Sequence, residues 1–306
     1  MDILIPTLLT IITAATPLLY AAIGEMITEK AGVLNLGVEG MMLLGAVCGF
    51  ATVHFTGSAT LAILAGFLAG AGLSIIFAVL VLGFQSSQVA TGLALTIFGI
   101  GLSALLGQNL VGIAYDGLPK LTIPLLYDIP VLGPLLFSHD ILVYGSILLV
   151  ATVAWFLNHT RPGLILRAVG NSHDAAHAIG YHVLRIRFFA ILFGGGMAGL
   201  AGAYLSLAYS PLWIENMSAG RGWIALALVV FATWRPWRVL IGAYLFGGIS
   251  ILQLHAQALG IGVPSQVMSM LPYIATIAVL VMISRDRNKI RLNAPACIGK
   301  PFHPTS

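Results

Sequence analysis

The fold of this chain is decided by the stretch Thr28-Glu29-Lys30-Ala31-Gly32-Val33-Leu34-Asn35-Leu36-Gly37-Val38-Glu39-Gly40-Met41-Met42. It lies between two long apolar segments, yet it contains three ionisable residues, one Asn and three glycines. No polar spacer separates Glu39 from the apolar run that follows, so we expect this carboxylate at or inside the hydrocarbon boundary. A charged residue at the centre of a membrane helix costs about 3 kcal/mol, so Glu39 is a candidate functional residue.

The glycines of this stretch allow the backbone to break, turn or pack closely. Broken backbone at membrane depth is tolerated only inside protein or beside a watery cavity. One interpretation is therefore an interrupted or re-entrant helix near residues 25–40, beside a translocation path that Asn35 and Glu39 line or brace. The other is a short juxtamembrane turn in which Glu39 reaches back to the interface. Spacing alone does not decide between them.

Composition places the chain in a membrane. Of its 306 residues, 59% are hydrophobic and only 8% are charged, with a mean hydropathy of +1.00, whereas a soluble protein carries roughly 25% charged residues. The two cysteines, Cys48 in an apolar segment and Cys297 in the tail, indicate neither a disulfide nor a thiolate metal site. The sequence therefore predicts an all-α polytopic membrane protein. Because the N-terminus lacks the positive region of a signal peptide, we expect the first apolar run to be retained.

A helix needs about 20 residues to span a bilayer, and the sequence contains eight apolar runs of about that length. A shorter run near 218–234 brings the predicted number of transmembrane helices to about nine (8–10). The eight runs lie near residues 3–24, 38–55, 59–83, 88–108, 140–158, 188–209, 237–256 and 266–284.

Arginine and lysine placement decides the predicted topology, because short loops rich in these residues stay cytoplasmic. Such residues cluster in segment 159–187, in the turn after Trp234 and in the tail from Arg285 onward. All three clusters face the cytoplasm only if the run 218–234 also spans. We therefore expect an external N-terminus, one transmembrane domain over 1–290 and a cytoplasmic tail over 291–306. The loop 109–139 would then lie outside, extended or turn-rich because of its prolines.

The cytoplasmic loop contains a second informative stretch. Pro162-Gly163 predicts a turn, after which Asn171 or Ser172 can cap a short helix that ends at Gly180. With its small alanines this helix could fit a groove on another protein. A solvated linker between two spans is the equal alternative at this point.

Other chemistry has less support. His173, His177 and His182 are close in sequence, but no acidic or Cys partner completes a metal-ligand set. The chain contains no Gly-x-x-x-x-Gly-Lys-[Ser/Thr] loop, no His-Glu-x-x-His and no Gly-x-Ser-x-Gly, so it shows no means of hydrolysing ATP itself. A membrane enzyme using Glu25, Glu39 and His54 as acid and base is a remote alternative, and so is a stand-alone ion-coupled carrier.

Two further patterns concern packing. Trp213, Trp234 and Trp237 are typical of interfacial anchors, and Arg221 could pair with Glu215. Small residues at helical spacing indicate helices that approach closely where lipid supplies no hydrophobic drive. These pairs are Gly45 and Gly49, Gly66 and Gly70, and Gly195 and Gly199.

Three motifs together carry a family resemblance, and a fourth narrows it. The three are Ile27-Thr28-Glu29-Lys30-Ala31-Gly32-Val33-Leu34-Asn35-Leu36-Gly37-Val38-Glu39-Gly40, Arg167-Ala168-Val169-Gly170-Asn171 with Ala175-Ala176 and Gly180, and Gly220-Arg221-Gly222-Trp223-Ile224-Ala225-Leu226-Ala227. Over about residues 15–285 the chain resembles the permease subunits of bacterial ABC importers of the branched-chain amino acid, ribose and nucleoside group. The fourth motif, Gln88-Val89-Ala90-Thr91-Gly92-Leu93-Ala94-Leu95-Thr96-Ile97, resembles the nucleoside (simple sugar) branch.

The resemblance implies a permease of the bacterial inner membrane that moves a small polar solute by alternating access and is not an enzyme. The cargo would be a nucleoside, with a simple sugar or branched-chain amino acid as the alternative. Implied partners are a cytoplasmic ABC ATPase, a second permease subunit (identical or not), an extracytoplasmic substrate-binding protein and membrane lipid, but no nucleic acid. ATP would be bound by the ATPase, so this chain needs no cofactor and no metal.

The resemblance also implies roles for particular residues. The helix from Asn171 to Ile179 would be the coupling helix that docks in the ATPase, and Tyr181-His182 departs from the aliphatic residue usual after Gly180. The expected coupling residues are Gly170, Asn171, Asp174, Ala175, Ala176 and Gly180. The expected substrate-path residues are Asn35, Glu39, Gln88 and Asn109.

Overall fold

Helices make up most of the chain that the structure describes. This computed structural model describes residues 4–121, 132–258, 264–271, 274–275, 277–278, 281 and 293–303. Within those ranges the only β pairing is three isolated bridges. The helices are α1 (Leu4–Lys30), α2 (Val38–Thr56), α3 (Ala59–Ala78), α4 (Gln88–Gly107), α5 (Leu132–Phe137), α6 (Ile141–His159), α7 (Arg161–Asn171), α8 (His173–Ala178), α9 (Val183–Tyr204), α10 (Arg221–Phe231), α11 (Pro236–Ala258) and α12 (Ser265–Ser269).

Seven helices of the described chain are long and apolar enough to cross a membrane. They coincide with the first seven of the eight predicted runs, and α3 and α9 are each prolonged by a π-helical turn, Val79–Gly83 and Leu205–Tyr209. The run 266–284 lies largely outside the described residues. The ninth run, 218–234, contains only the 11-residue helix α10. The all-helical class is therefore confirmed for the described part, whereas the count of about nine spans is not.

The centre of the bundle is formed by α9, which packs against α1, α2 and α3, and by α2, which packs against α3, α4 and α9. The contacts of α9 with α2 and α3 depend on glycine, in agreement with the tight packing that the small-residue spacing predicted. A side-chain carbon added at Gly45 would overlap the backbone of Gly199, and one at Gly70 would overlap Gly195. Close backbone approach of this kind is what holds helices together where lipid supplies no hydrophobic drive.

No helix long enough to span the membrane lies between α9 and α11 in the described chain. Residues 212 and 213 form bridges with the extended segment after α4, and α10 then covers only about 16 Å at 1.5 Å per residue. Trp213 is fully buried in this region and Trp234 is 7% exposed, so the interfacial role expected of them is wrong. Trp237, at 53% exposure, is the member of the three that can act as an anchor.

The described members of the basic regions lie on one side of the bundle, as the charge distribution predicted. Arg167 of α7 and Arg235 of the turn before α11 line one cavity. Arg187 of α9 donates a hydrogen bond to the carbonyl of Lys300 in the tail, at 3.1 Å. By the positive-inside rule we expect this side to face the cytoplasm. In the outer loop the predicted extended backbone is followed by the short helix α5, and residues 122–131 lie outside the described chain.

Candidate transport and coupling site

The interruption predicted near residues 25–40 is the non-helical segment 31–37, because α1 continues to Lys30 and α2 begins at Val38. Its backbone is satisfied by side chains of two neighbouring helices. Glu25 of α1 accepts a hydrogen bond from the amide of Asn35 at 2.9 Å, and Gln88 of α4 accepts one from Leu34 at 2.8 Å. Irregular backbone inside a membrane protein needs partners of this kind.

Glu39 lies in the first turn of α2 and is 3% exposed. Its carboxylate accepts hydrogen bonds from the hydroxyl of Ser218 at 2.5 Å and from the amides of Gly220 at 2.8 Å and Gly222 at 2.6 Å. These groups surround the N-terminus of α10, where unpaired amides and the helix dipole favour a negative charge. Glu39 thus acts as the N-terminal cap that the neighbouring Gly220 has no side chain to supply.

The four residues expected along the substrate path divide into two groups. Asn35, Glu39 and Gln88 come together around the interruption and are buried by bonds within the chain. Asn109 is exposed in the single turn that follows α4, whereas Gln88 is the first residue of α4. About 30 Å of helix therefore separates Asn109 from Gln88, whereas the backbone next to Asn35 and Glu39 contacts α4 between Gly92 and Gly99. Their contact with cargo stays a prediction.

The loop expected to contain the coupling helix is two helices. Thr160 caps α7 by accepting a hydrogen bond from the amide of Gly163 at 3.1 Å, so Pro162 stands in the first turn of a helix and the turn predicted at Pro162-Gly163 is wrong. Proline is favoured there because the first turn has no acceptor for its missing N–H. Ser172 caps α8 through the amide of Ala175 at 3.3 Å.

The expected coupling residues on this hairpin face two ways. Gly170 and Ala176 are buried, and Ala176 packs in a small cluster with Phe302 of the tail. Gly180, which follows α8, has a φ of +94°, a backbone conformation that favours glycine. The outward members, Asn171, Asp174 and Ala175, are exposed. These three, together with the exposed Gly180, are the expected coupling residues that present a surface on which another protein can dock.

The first two motifs meet directly at Gly32 and Gly170. A side-chain carbon on Gly170 would overlap the carbonyl oxygen of Lys30, and one on Gly32 would lie 3.3 Å from the Cα of Gly170. Gly32 also has a φ of +85°, a left-handed conformation that other residues rarely adopt. The end of α1 and the end of α7 can touch only because both positions lack side chains.

Arg187 links this contact to the coupling helix. Its guanidinium is almost fully buried and donates hydrogen bonds to the carbonyl of Ala31 at 3.2 Å and to Nδ1 of His173 at 3.3 Å. An arginine only donates, so that histidine nitrogen accepts. Burial, followed by the charge of Arg187, lowers the pKa of His173 below its usual value. Sequence reasoning counted Arg187 only as a basic residue, although a charge inside an apolar helix signals function.

The C-terminal tail closes over the same region. The amide of Cys297 donates to the carbonyl of Gly170 at 2.9 Å, and the ammonium of Lys30 donates to the carbonyl of Asn293 at 2.8 Å. The ring of Phe302 lies 5.3 Å from that of His173, edge to face. The part of the tail that the structure describes is thus packed on the coupling hairpin.

The structure does not bring together two groups of side chains that the sequence suggested, an ion pair and an acid–base cluster. Arg221 donates to the carbonyls of Met217 and Ser218 instead of pairing with Glu215, which is exposed. His54 lies in the last turn of α2 and Glu39 in the first, about 22 Å apart along the helix. That separation removes the acid–base cluster on which the enzyme alternative depended.

Comparison with known proteins shows the family to which the chain belongs. The profile of a family described as "Branched-chain amino acid transport system / permease component" matches residues 7–280. The putative glucose ABC transporter permease protein TsgC13 of Haloferax volcanii is 41% identical over 95% of each chain. The guanosine ABC transporter permease protein NupQ of Bacillus subtilis is 33% identical over 99% of this chain and 97% of its own. The nucleoside ABC transporter permease protein NupC of Lactococcus lactis is 33% identical over 88% and 89%.

Proposed function

The chain belongs to the branched-chain amino acid transport system permease family and is a membrane-spanning subunit of an ABC importer in the cytoplasmic membrane, and we propose that its cargo is a nucleoside. The observation that carries this proposal is the similarity to two permeases named for nucleosides, each over most of both chains. The motif from Gln88 to Ile97 supports the same branch. Both relatives are named as permease proteins of ABC transporters.

A simple sugar is the second candidate. The relative at 41% identity is named as a putative glucose permease. Nucleosides and sugars share a ring that carries several hydroxyl groups, so a path built for one can hydrogen-bond the other. The branched-chain amino acids that the family description names have no such ring.

We infer that the transport cycle is driven by a cytoplasmic ATPase that docks on α8, whose exposed face includes Ala175 and Ile179. The buried face of this hairpin is tied through His173 and Arg187 to Ala31, at the start of the interruption. A displacement of α8 by the ATPase would therefore reach the segment 31–37 without passing through a mobile loop. A ligand shifts such an equilibrium only by binding one state better than the other.

The far end of that segment is tied to α10. Glu39 follows the interruption by two residues and caps α10 through Ser218, Gly220 and Gly222. Movement of the interruption would thus tilt a short helix that begins inside the bundle. A second permease subunit would complete the path, and an extracytoplasmic binding protein would deliver cargo to its outer end.

The test is uptake by vesicles that contain the complete importer. The tagged chain is purified from its native membrane in mild detergent, its companions are identified by mass spectrometry, and the assembly is reconstituted with its binding protein. Radiolabelled guanosine should enter when ATP is supplied to the ATPase, and excess unlabelled guanosine should compete while glucose should not. Glucose uptake without guanosine uptake would replace the nucleoside by the sugar. Recovery of the chain alone, with uptake intact, would contradict the dependence on an ATPase.

A further inference from the structure

A cavity of about 380 Å³ lies where α1 ends and α11 begins, beside the end of α6 and the middle of α7. Three cationic side chains line it, those of Lys30, Arg167 and Arg235. No carboxylate stands among its lining residues in the described chain. Three positive charges that face one cavity repel one another, and an anion bound among them would offset this electrostatic repulsion.

Hydrogen-bond capacity at the cavity also exceeds what the described chain uses. The Nε–H of Arg167 is buried and has no acceptor. A bond to the carbonyl of Asn293 occupies one of the three ammonium protons of Lys30. A guanidinium offers donors in a planar fork that matches the oxygens of a phosphate.

The position of the cavity indicates the source of such an anion. One membrane span, Ile5–Lys30, ends at it, and another, Pro236–Gln257, begins at it. Its walls include the half-exposed Trp237, and exposed tryptophan concentrates at the level of lipid headgroups. The cavity is therefore at the depth where phosphates of the cytoplasmic leaflet lie, and basic pockets between membrane helices on that side bind anionic headgroups.

We propose that this cavity, lined by Lys30, Arg167 and Arg235, binds the phosphate of an anionic phospholipid from the cytoplasmic leaflet. Binding there has a consequence for coupling, because Lys30 ends α1 next to the contact of Gly32 with Gly170. The phosphate would hold the ends of α1 and α7 and the start of α11 together. Anionic lipid should therefore support transport as well as bind.

The experiment measures lipid retained by the purified importer in nanodiscs of phosphatidylcholine with phosphatidylglycerol, read by native mass spectrometry. Arg235→Gln is the main variant because Arg235 is exposed and its replacement does not disturb the core. Arg161→Gln, an exposed arginine at the start of α7 outside the cavity, removes the same charge from the same side. Arg167→Lys keeps the charge but removes the buried Nε–H.

Wild type and Arg161→Gln should retain phosphatidylglycerol in preference to phosphatidylcholine. Arg235→Gln should lower that retention about fivefold, the factor that one near-surface arginine contributes, and Arg167→Lys should lower it as well. Equal retention of the two lipids by wild type would overturn the proposal, as would an equal loss in Arg161→Gln and Arg235→Gln. Inorganic phosphate added in excess tests the source, because binding of free phosphate without any lipid preference would contradict a lipid site.

Discussion

The carboxylate of Glu39 accepts a hydrogen bond from the amide of Gly222 at 2.6 Å, although 183 positions of sequence separate the two residues. The first turn of α2 and the first turn of α10 are therefore one structural unit. The negative charge is stabilised because it lies at the positive end of the α10 dipole and accepts further bonds from Ser218 and Gly220.

Replacing Glu39 should weaken the attachment of the first turn of α10 to the first turn of α2. In Glu39→Ala the donors of Ser218, Gly220 and Gly222 lose their acceptor, and each buried unsatisfied donor costs about 1–3 kcal/mol. We expect uptake to be lost and the melting temperature of the purified protein to fall. Glu39→Gln, which keeps one acceptor oxygen, should fall less, and Glu215→Ala, exposed on the neighbouring loop, should match wild type. An unchanged melting temperature in Glu39→Ala would show that the cap is not needed.

The contact of Gly32 with Gly170 makes a second prediction. Gly170→Ala adds a methyl group that overlaps the carbonyl oxygen of Lys30, so the end of α7 must move away from α1. We expect reduced uptake and, because overpacking of this kind typically costs about 1–3 kcal/mol, lower stability. Gly72→Ala is the matched control, since its methyl group meets open space. Equal effects of the two substitutions in uptake and melting would contradict the close contact.

The exposed face of α8 can be tested without disturbing its buried face. Ala175→Arg places a long charged side chain on the proposed ATPase-docking surface, where the position is exposed. We expect the melting temperature of the isolated permease to be unchanged, while ATPase co-purification and ATP-driven uptake are lost. Ala175→Ser, which keeps a small side chain, should retain both. Co-purification at the wild-type level in Ala175→Arg would exclude docking on this face.

His173 predicts a dependence of stability on pH. Its pKa is lowered in the folded protein by burial and then by Arg187, whereas the unfolded value is about 6.5. The folded state therefore disfavours the proton, and its stabilising contribution is present above about pH 6.5 and lost as the pH falls through the folded pKa. Melting temperatures measured from about pH 8 to about pH 5 should fall more steeply in wild type than in His173→Gln. Parallel curves would show that His173 does not titrate with unfolding.

The sequence by itself determined the class of the molecule, its seven described membrane helices and the family, and it predicted which side faces the cytoplasm. These depend on properties that are local along the chain: long apolar runs, the placement of arginine and lysine, and short motifs. The glycine spacings are also local and predicted a closely packed bundle, but the structure showed that Gly45 of α2 meets Gly199 of α9.

Only the tertiary structure decided what the polar residues of those motifs do. Glu39 and Gly222, or Arg187 and Ala31, lie far apart in sequence, and nothing in the spacing of either motif specifies its partner. The length of α10 was missed for the same reason. A helix can begin inside the bundle only if another part of the chain satisfies its first amides, and here that acceptor comes from α2. Hydrophobic periodicity measures burial along one segment, whereas hydrogen-bond satisfaction is a property of the packed whole.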